Sequence, residues 1–272
     1  MSGNTLPRVE TETDRPVIHG GDAPVSEGAL LKRAVLAQTR AELLLTMRRG
    51  ENVLITVVVP VLLLIFFASL GIVRAGTSRP VDFLLPGMLS LAVIATGMVS
   101  LGIATAYERY YGALKRLLGS PLPRTSLIAA KTLSVLLIEL VQVVLLIGIA
   151  RLMFGWSPTG SLLAALLALI LGTAAFAGLG LLMAGTLRAE ATLAVANGLY
   201  LVFLLLGGFI LPLDRLPGPV DLVAHVLPAA ALTDATRAAL SASGQGAPGP
   251  LALLAAWTVV TMGAAAFTFR PE

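Results

Sequence analysis

Long apolar runs alternate with short polar breaks along almost the whole chain. A helix that crosses a bilayer needs about 20 mostly apolar residues. Six stretches meet that length: about 53–73, 81–107, 127–149, 162–187, 191–213 and 251–269. Runs such as LLAALLALILG (162–172) show no alternation of polar and apolar positions, which excludes barrel strands. The pattern therefore predicts an all-α integral membrane fold with six transmembrane helices.

The segments between the runs have patterns of their own. Residues 1–27 carry Glu10, Glu12, Asp14, Asp22 and Glu27 among Pro and Gly, and read as a disordered acidic tail. In residues 28–50, Leu30, Ala34, Ala37, Ala41 and Leu44 recur at helical spacing, with Lys32, Arg33, Arg40 and Arg48 mostly elsewhere. That spacing predicts an amphipathic helix lying on the membrane surface and leading into the first span. Residues 51–272 then form the six-helix transmembrane domain. Between spans two and three, Tyr107, Tyr111, Leu114 and Leu118 form one apolar stripe, with Glu108, Arg109, Lys115 and Arg116 polar. Gly119-Ser120-Pro121 stops that helix. Between spans five and six, Gly207, Gly208 and Pro212 break the apolar run, and Pro217, Pro219 and Pro228 punctuate the residues after it. This stretch is too broken for a span and too apolar for a free loop. Such a re-entrant element is tolerated at membrane depth only where protein or water covers its backbone.

Composition narrows the classes. Of 272 residues, 57% are hydrophobic and 12% charged. A soluble domain carries about 25% charged residues, so an ordinary globular enzyme is excluded. Mean hydropathy is +0.90. There is no Cys, which removes thiolate catalysis and thiolate metal sites, and the two His, at 19 and 225, suggest no metal centre. Fourteen of the nineteen Lys and Arg fall on the side of the two termini. The excess of basic residues on cytoplasmic loops then puts both termini in the cytoplasm, and the even span count agrees. The net charge of +4 is a property of that face and suits anionic lipid headgroups. Nucleic acid is not an expected partner, because the basic residues are divided by spans with no aromatic platform. No cleavable signal peptide is expected, since the first apolar run starts after about fifty residues.

Several of these residues together resemble the ABC-2 family of transporter permeases, and within it the daunorubicin-resistance-type exporters. One group is Leu85-Pro86-Gly87 at the start of span two, then Glu108, Gly112, Leu114, Lys115, Leu117, Ser120 and Pro121. The other is Gly207-Gly208, Pro212-Leu213, Leu216-Pro217, Pro228 and Arg237. Ala113 stands where the family often has Thr, and Ala130 where it often has Gly before Lys131. The resemblance covers roughly residues 35–270. It implies a permease of the bacterial inner membrane that is half of a translocator, paired with an identical chain or a paralogue. Each half would dock a P-loop ATPase subunit, two copies in all, with ATP and Mg held there rather than in this chain. The helix at 107–118 would be the coupling helix in the ATPase cleft, so Glu108, Arg109, Tyr111, Gly112, Leu114, Lys115 and Arg116 are its expected contacts. Gly207, Gly208, Pro212, Pro217 and Pro228 would belong to the re-entrant outer gate. The chain's own Lys agree with the need for a partner. A P-loop requires G-x-x-x-x-G-K-[ST], and none of Lys32, Lys115 and Lys131 sits in one.

Single polar residues inside the spans are the remaining candidates. Glu139 lies near the middle of span three with Gln142 on the same face. An intramembrane carboxylate is expensive and marks a site by default; it could bind a cation, carry a proton, or be a carboxyl buried between helices. Asn197 and Tyr200 of span five either bond across helices or line a pathway. Phe203 either meets an apolar solute or packs. Ala174/Gly178 and Gly180/Ala184 are small-residue pairs that mark close helix contact, within the fold or between two copies. An amphiphilic-solute exporter is the leading reading. An ion-coupled secondary transporter using Glu139 would need inverted repeats and more charged sites at the midplane. An integral-membrane enzyme would need a cluster of acids, Ser/His or metal ligands. The sequence shows neither pattern.

Overall fold

The structure is a computed structural model that describes residues 27–48, 50–71, 79–113, 124–210, 212–215, 217–241 and 248–268. The expected acidic tail and the residues 114–123, with Leu114, Lys115 and Arg116 among them, lie outside the described residues. Among those described there is no strand. The helices are α1 (Glu27–Arg48), α2 (Gly50–Leu70), α3 (Pro80–Tyr110), α4 (Arg124–Phe154), α5 (Leu162–Thr186), α6 (Ala189–Leu206), α7 (Gly218–Val226), α8 (Pro228–Leu240) and α9 (Pro248–Thr268). Pro opens α3, α8 and α9. Its fixed φ and missing N–H suit a first helical turn. Ser161 caps α5, its hydroxyl accepting from the Ala164 N–H at 3.2 Å.

Five of these helices are long and apolar enough to cross a membrane: α3, α4, α5, α6 and α9. They correspond to the second to sixth expected spans. The first corresponds to α2, whose described apolar stretch, Thr56–Leu70, is shorter. Two boundaries move. The fifth apolar run predicts a span reaching residue 213, but α6 stops at Leu206, because Gly207 caps it and Gly208 turns the chain with φ +68°. The stripe beginning at Tyr107 predicts a separate helix. Of the residues expected in it, Tyr107 to Tyr110 complete α3, the chain turns at Tyr111 and Gly112, where φ is +71°, and 114–118 lie outside the described residues.

The centre of the bundle is α3, buried along nearly its whole length. Its middle, Ala95–Ser100, is wound as a π-helix. It packs on α2, α4, α5, α6 and α8. Glycines set the closest approaches. A methyl group on Gly180 of α5 would meet the Met98 and Gly97 carbonyl oxygens of α3 at 2.8 and 2.9 Å. One on Gly178 would meet Thr261 and Met262 of α9 at 2.6 and 2.8 Å. The small-residue pairs therefore serve packing within this chain. Hydroxyls add to the α5–α9 seam: Thr261 donates to Ala175 O at 2.9 Å and Thr258 to Leu171 O at 3.0 Å.

Against α4 lies α1, through a face other than its expected apolar stripe. Thr39 and Glu42 are buried, whereas Ala37, Ala41 and Leu44 are exposed. Those three residues of the stripe thus face away from the described part of the protein, and Ala34 is half-buried.

The segment after α6 folds back into the bundle. It continues as a 3-10 turn, Leu213–Arg215, then α7, a bend at Leu227, and α8. Trp257 Nε1 of α9 donates to Val226 O at 3.0 Å, and Leu232 packs on Gly172 of α5. Both contacts sit near the midpoints of their long helices. The other end of α8 returns to the α4–α5 connection, where Thr159 Oγ1 donates to Leu240 O at 3.1 Å and Ser161 N to Ala239 O at 2.8 Å. With a rise of about 1.5 Å per residue, the α7–α8 hairpin dips about halfway into the bundle and comes back.

Candidate functional site: a cavity between two charged ends

A cavity of about 580 Å³ lies among α1, α2, α3, α4 and α6. Val59, Pro60, Val99, Ile103, Val135 and Leu193 give it apolar walls. The π-helical turn of α3 contributes Ala95, Thr96, Val99 and Ser100; such turns are frequent at functional sites.

At one end of the cavity the Lys131 side chain is 1% exposed and carries two carboxylates. Its Nζ is 2.6 Å from Glu108 of α3 and 2.9 Å from Glu42 of α1. Gln38 Nε2 also donates to Glu42 at 3.0 Å, and Thr39 Oγ1 reaches Ala130 O at 3.4 Å. Two carboxylates share one ammonium. Beside it, Arg109 donates to Gly185 O at 2.6 Å and also to Leu187 O, fixing the α5–α6 connection to the end of α3. The rings of Tyr107 and Tyr111 stack at 6.2 Å.

Of the expected pathway residues, Asn197 and Tyr200 line the cavity. Asn197 Nδ2 also donates to Leu193 O at 2.8 Å. Gln142 stands behind the wall, accepting from Thr96 at 3.2 Å and donating to Thr56 O at 3.2 Å. The other two face elsewhere. Glu139 is bonded to Thr173 of α5, and its Oε1 has no hydrogen-bond partner among the described residues. Phe203 is buried edge-on against Phe176, with centroids 5.7 Å apart. Among the expected coupling contacts, Glu108 and Arg109 thus have partners within the chain. Tyr111 is exposed, and Gly112 has open space around it.

At the opposite end, Arg237 of α8 gathers three elements. It donates to Gly208 O at 2.8 Å, pairs with Asp234 at 3.3 Å, and lies 4.1 Å over the Phe83 ring of α3. Burial pushes the Asp234 carboxyl up from its ordinary value, while Arg237 and then His225 pull it back. Pro217 precedes α7 and Pro228 begins α8, so both define the hairpin rather than a contact surface. Pro212 comes just before the 3-10 turn.

Sequence reasoning missed Glu42 and the role of Lys131. The available signal was Lys131 itself, a cation inside an apolar run that demands a buried counter-charge.

Residues 33–241, which run from α1 through the in-folded hairpin, match the ABC-2 type transporter family. The chain belongs to that family. Among curated relatives, the probable multidrug ABC transporter permease YbhS of Escherichia coli (strain K12) is 25% identical over 149 residues, 54% of this chain and 40% of that protein. ABC transporter G family member 20 of Dictyostelium discoideum is 30% identical over 163 residues, 59% of this chain and 22% of that protein. The matched region thus spans less than half the length of either relative.

Proposed function

We propose that the chain is the permease subunit of an ATP-binding-cassette exporter. It would move an amphiphilic solute (a drug, an antibiotic or a lipid-like molecule) out of the cytoplasm. The observation that carries this reading is the cavity: apolar walls, polar groups at Thr96, Asn197 and Tyr200, and one end bounded by Glu108 and Tyr111. That end is the one from which residues 107–118 would reach an ATPase, so hydrolysis there acts beside the solute. Asn197 and Tyr200 are the pathway residues in this reading. Glu139 and Phe203, which face α5, hold the helices in place. The α2 helix completes six spans, with both termini cytoplasmic and α1 on the cytoplasmic surface. The α7–α8 hairpin closes the far side. Two permease halves and two ATPases would alternate access, with ATP and Mg on the ATPase subunits.

The test is a gentle detergent purification of the chain expressed with candidate P-loop ATPases. One ATPase per permease is expected to co-purify, and Gly112→Trp is expected to lose it while membrane insertion persists. A chain that purifies alone and drives uptake from an ion gradient would overturn the reading.

A further inference from the structure

Three helices meet at one buried ammonium. Glu42 belongs to α1, Glu108 to the last turns of α3, and Lys131 to α4. Lys131 is 1% exposed, and the Glu42 and Glu108 side chains are 7% and 13% exposed. Removing one partner from such a pair strands a charge in apolar surroundings, which costs far more than the pair itself contributes. The contact is thus a poor hinge and a good joint. If Glu108 moves, Lys131 follows, and Glu42 follows Lys131. Thr39 adds a second tie between α1 and α4 at Ala130 O.

The position of this joint matters. Glu108 lies three residues before Tyr111, where α3 ends in the turn at Gly112. All three charged residues line the cavity, together with Leu45 and Thr46 of α1, Tyr107 of α3, Tyr111 of the turn after it, and Ser134 of α4. Displacing the turn therefore displaces the charged end of the cavity as a unit.

We propose that Glu42, Lys131 and Glu108 form one rigid joint through which movement of the Tyr111–Gly112 turn carries α1 and reshapes the charged end of the cavity. Lys131 and Glu42 are positioning residues for transport, acting through α1. This rests on the reading that an ATPase drives the chain at this turn, and it adds α1 to the moving parts.

The experiment uses the whole permease–ATPase complex in liposomes and reads solute moved per ATP hydrolysed. Glu42→Gln keeps the shape and an accepting oxygen but removes the carboxylate charge that holds α1 to the ammonium. It is expected to keep ATP hydrolysis within about twofold of the parent and to lower solute per ATP by about tenfold. Lys131→Met is expected to do the same. Lys131→Arg, which keeps the charge, should restore most of the ratio. If Lys131→Met fails to insert, the comparison of Glu42→Gln with the parent decides alone. An unchanged ratio in Glu42→Gln, with the parent active, overturns the joint and leaves the exporter reading standing. A parent complex with no ATP-dependent transport overturns both.

Discussion

At the scale of single residues, the informative ones are polar groups that an apolar bundle must satisfy internally. Glu139 is the clearest case. It is buried, bonded to Thr173, and absent from the cavity lining. Glu139→Gln retains the shape and supplies an N–H for the Thr173 oxygen. We expect it to unfold within about 1 kcal/mol of the parent and to leave solute moved per ATP unchanged. Glu139→Ala removes the bond and opens a void, at a cost on the order of 2 kcal/mol. Thermal unfolding in detergent and a transport assay in liposomes check both. A transport loss in Glu139→Gln would return this carboxyl to the pathway. The sequence marks Glu139 and Lys131 as costly but does not show what compensates them. For Lys131 one partner lies 23 residues away and the other lies on α1, across two helices. Nothing in local spacing encodes either pairing.

Among the helices, periodicity reveals that one face differs from the others, not which medium that face meets. The apolar stripe of α1 is real in the sequence, yet the protein contacts Thr39 and Glu42 on another face. In a bilayer both lipid and protein are apolar surroundings, so hydrophobicity alone cannot orient such a helix. The long spans were legible for the opposite reason: twenty apolar residues in a row have only one inexpensive environment. The hairpin was legible through Gly207, Gly208 and its prolines, whereas the depth of its tip depends on contacts with Gly172 and Trp257 that lie far away in the chain. Small-residue pairs announce close approach without naming the neighbour. Here Gly180 meets α3 backbone and Gly178 meets α9. Backbone atoms cannot swing aside, so Gly180→Val should destabilise at the upper end of the about 1–3 kcal/mol typical of overpacking. A lowered unfolding midpoint in detergent would show it, and an unchanged midpoint would mean that α3 and α5 do not approach so closely.

Taken together, the described residues carry charge at two ends, with the 580 Å³ cavity and the in-folded hairpin between them. Arg109 ties α3 to the α5–α6 connection at one end, and Arg237 ties the hairpin to Gly208 and Phe83 at the other. The hairpin contact at Trp257 has a practical consequence. The chain has only two tryptophans. Trp156 is buried, and Trp257 bonds the hairpin tip through Val226 O. Replacing Trp156 by Phe leaves a single indole stationed at the innermost point of the hairpin. In an assembly whose ATPase is freed of its own tryptophans, the indole emission becomes an optical gauge of that point, needing no attached dye. If the hairpin withdraws when nucleotide binds the assembled transporter, the indole loses its carbonyl partner, and its emission maximum and lifetime should change. A hairpin that stays fixed through the cycle would leave the spectrum still.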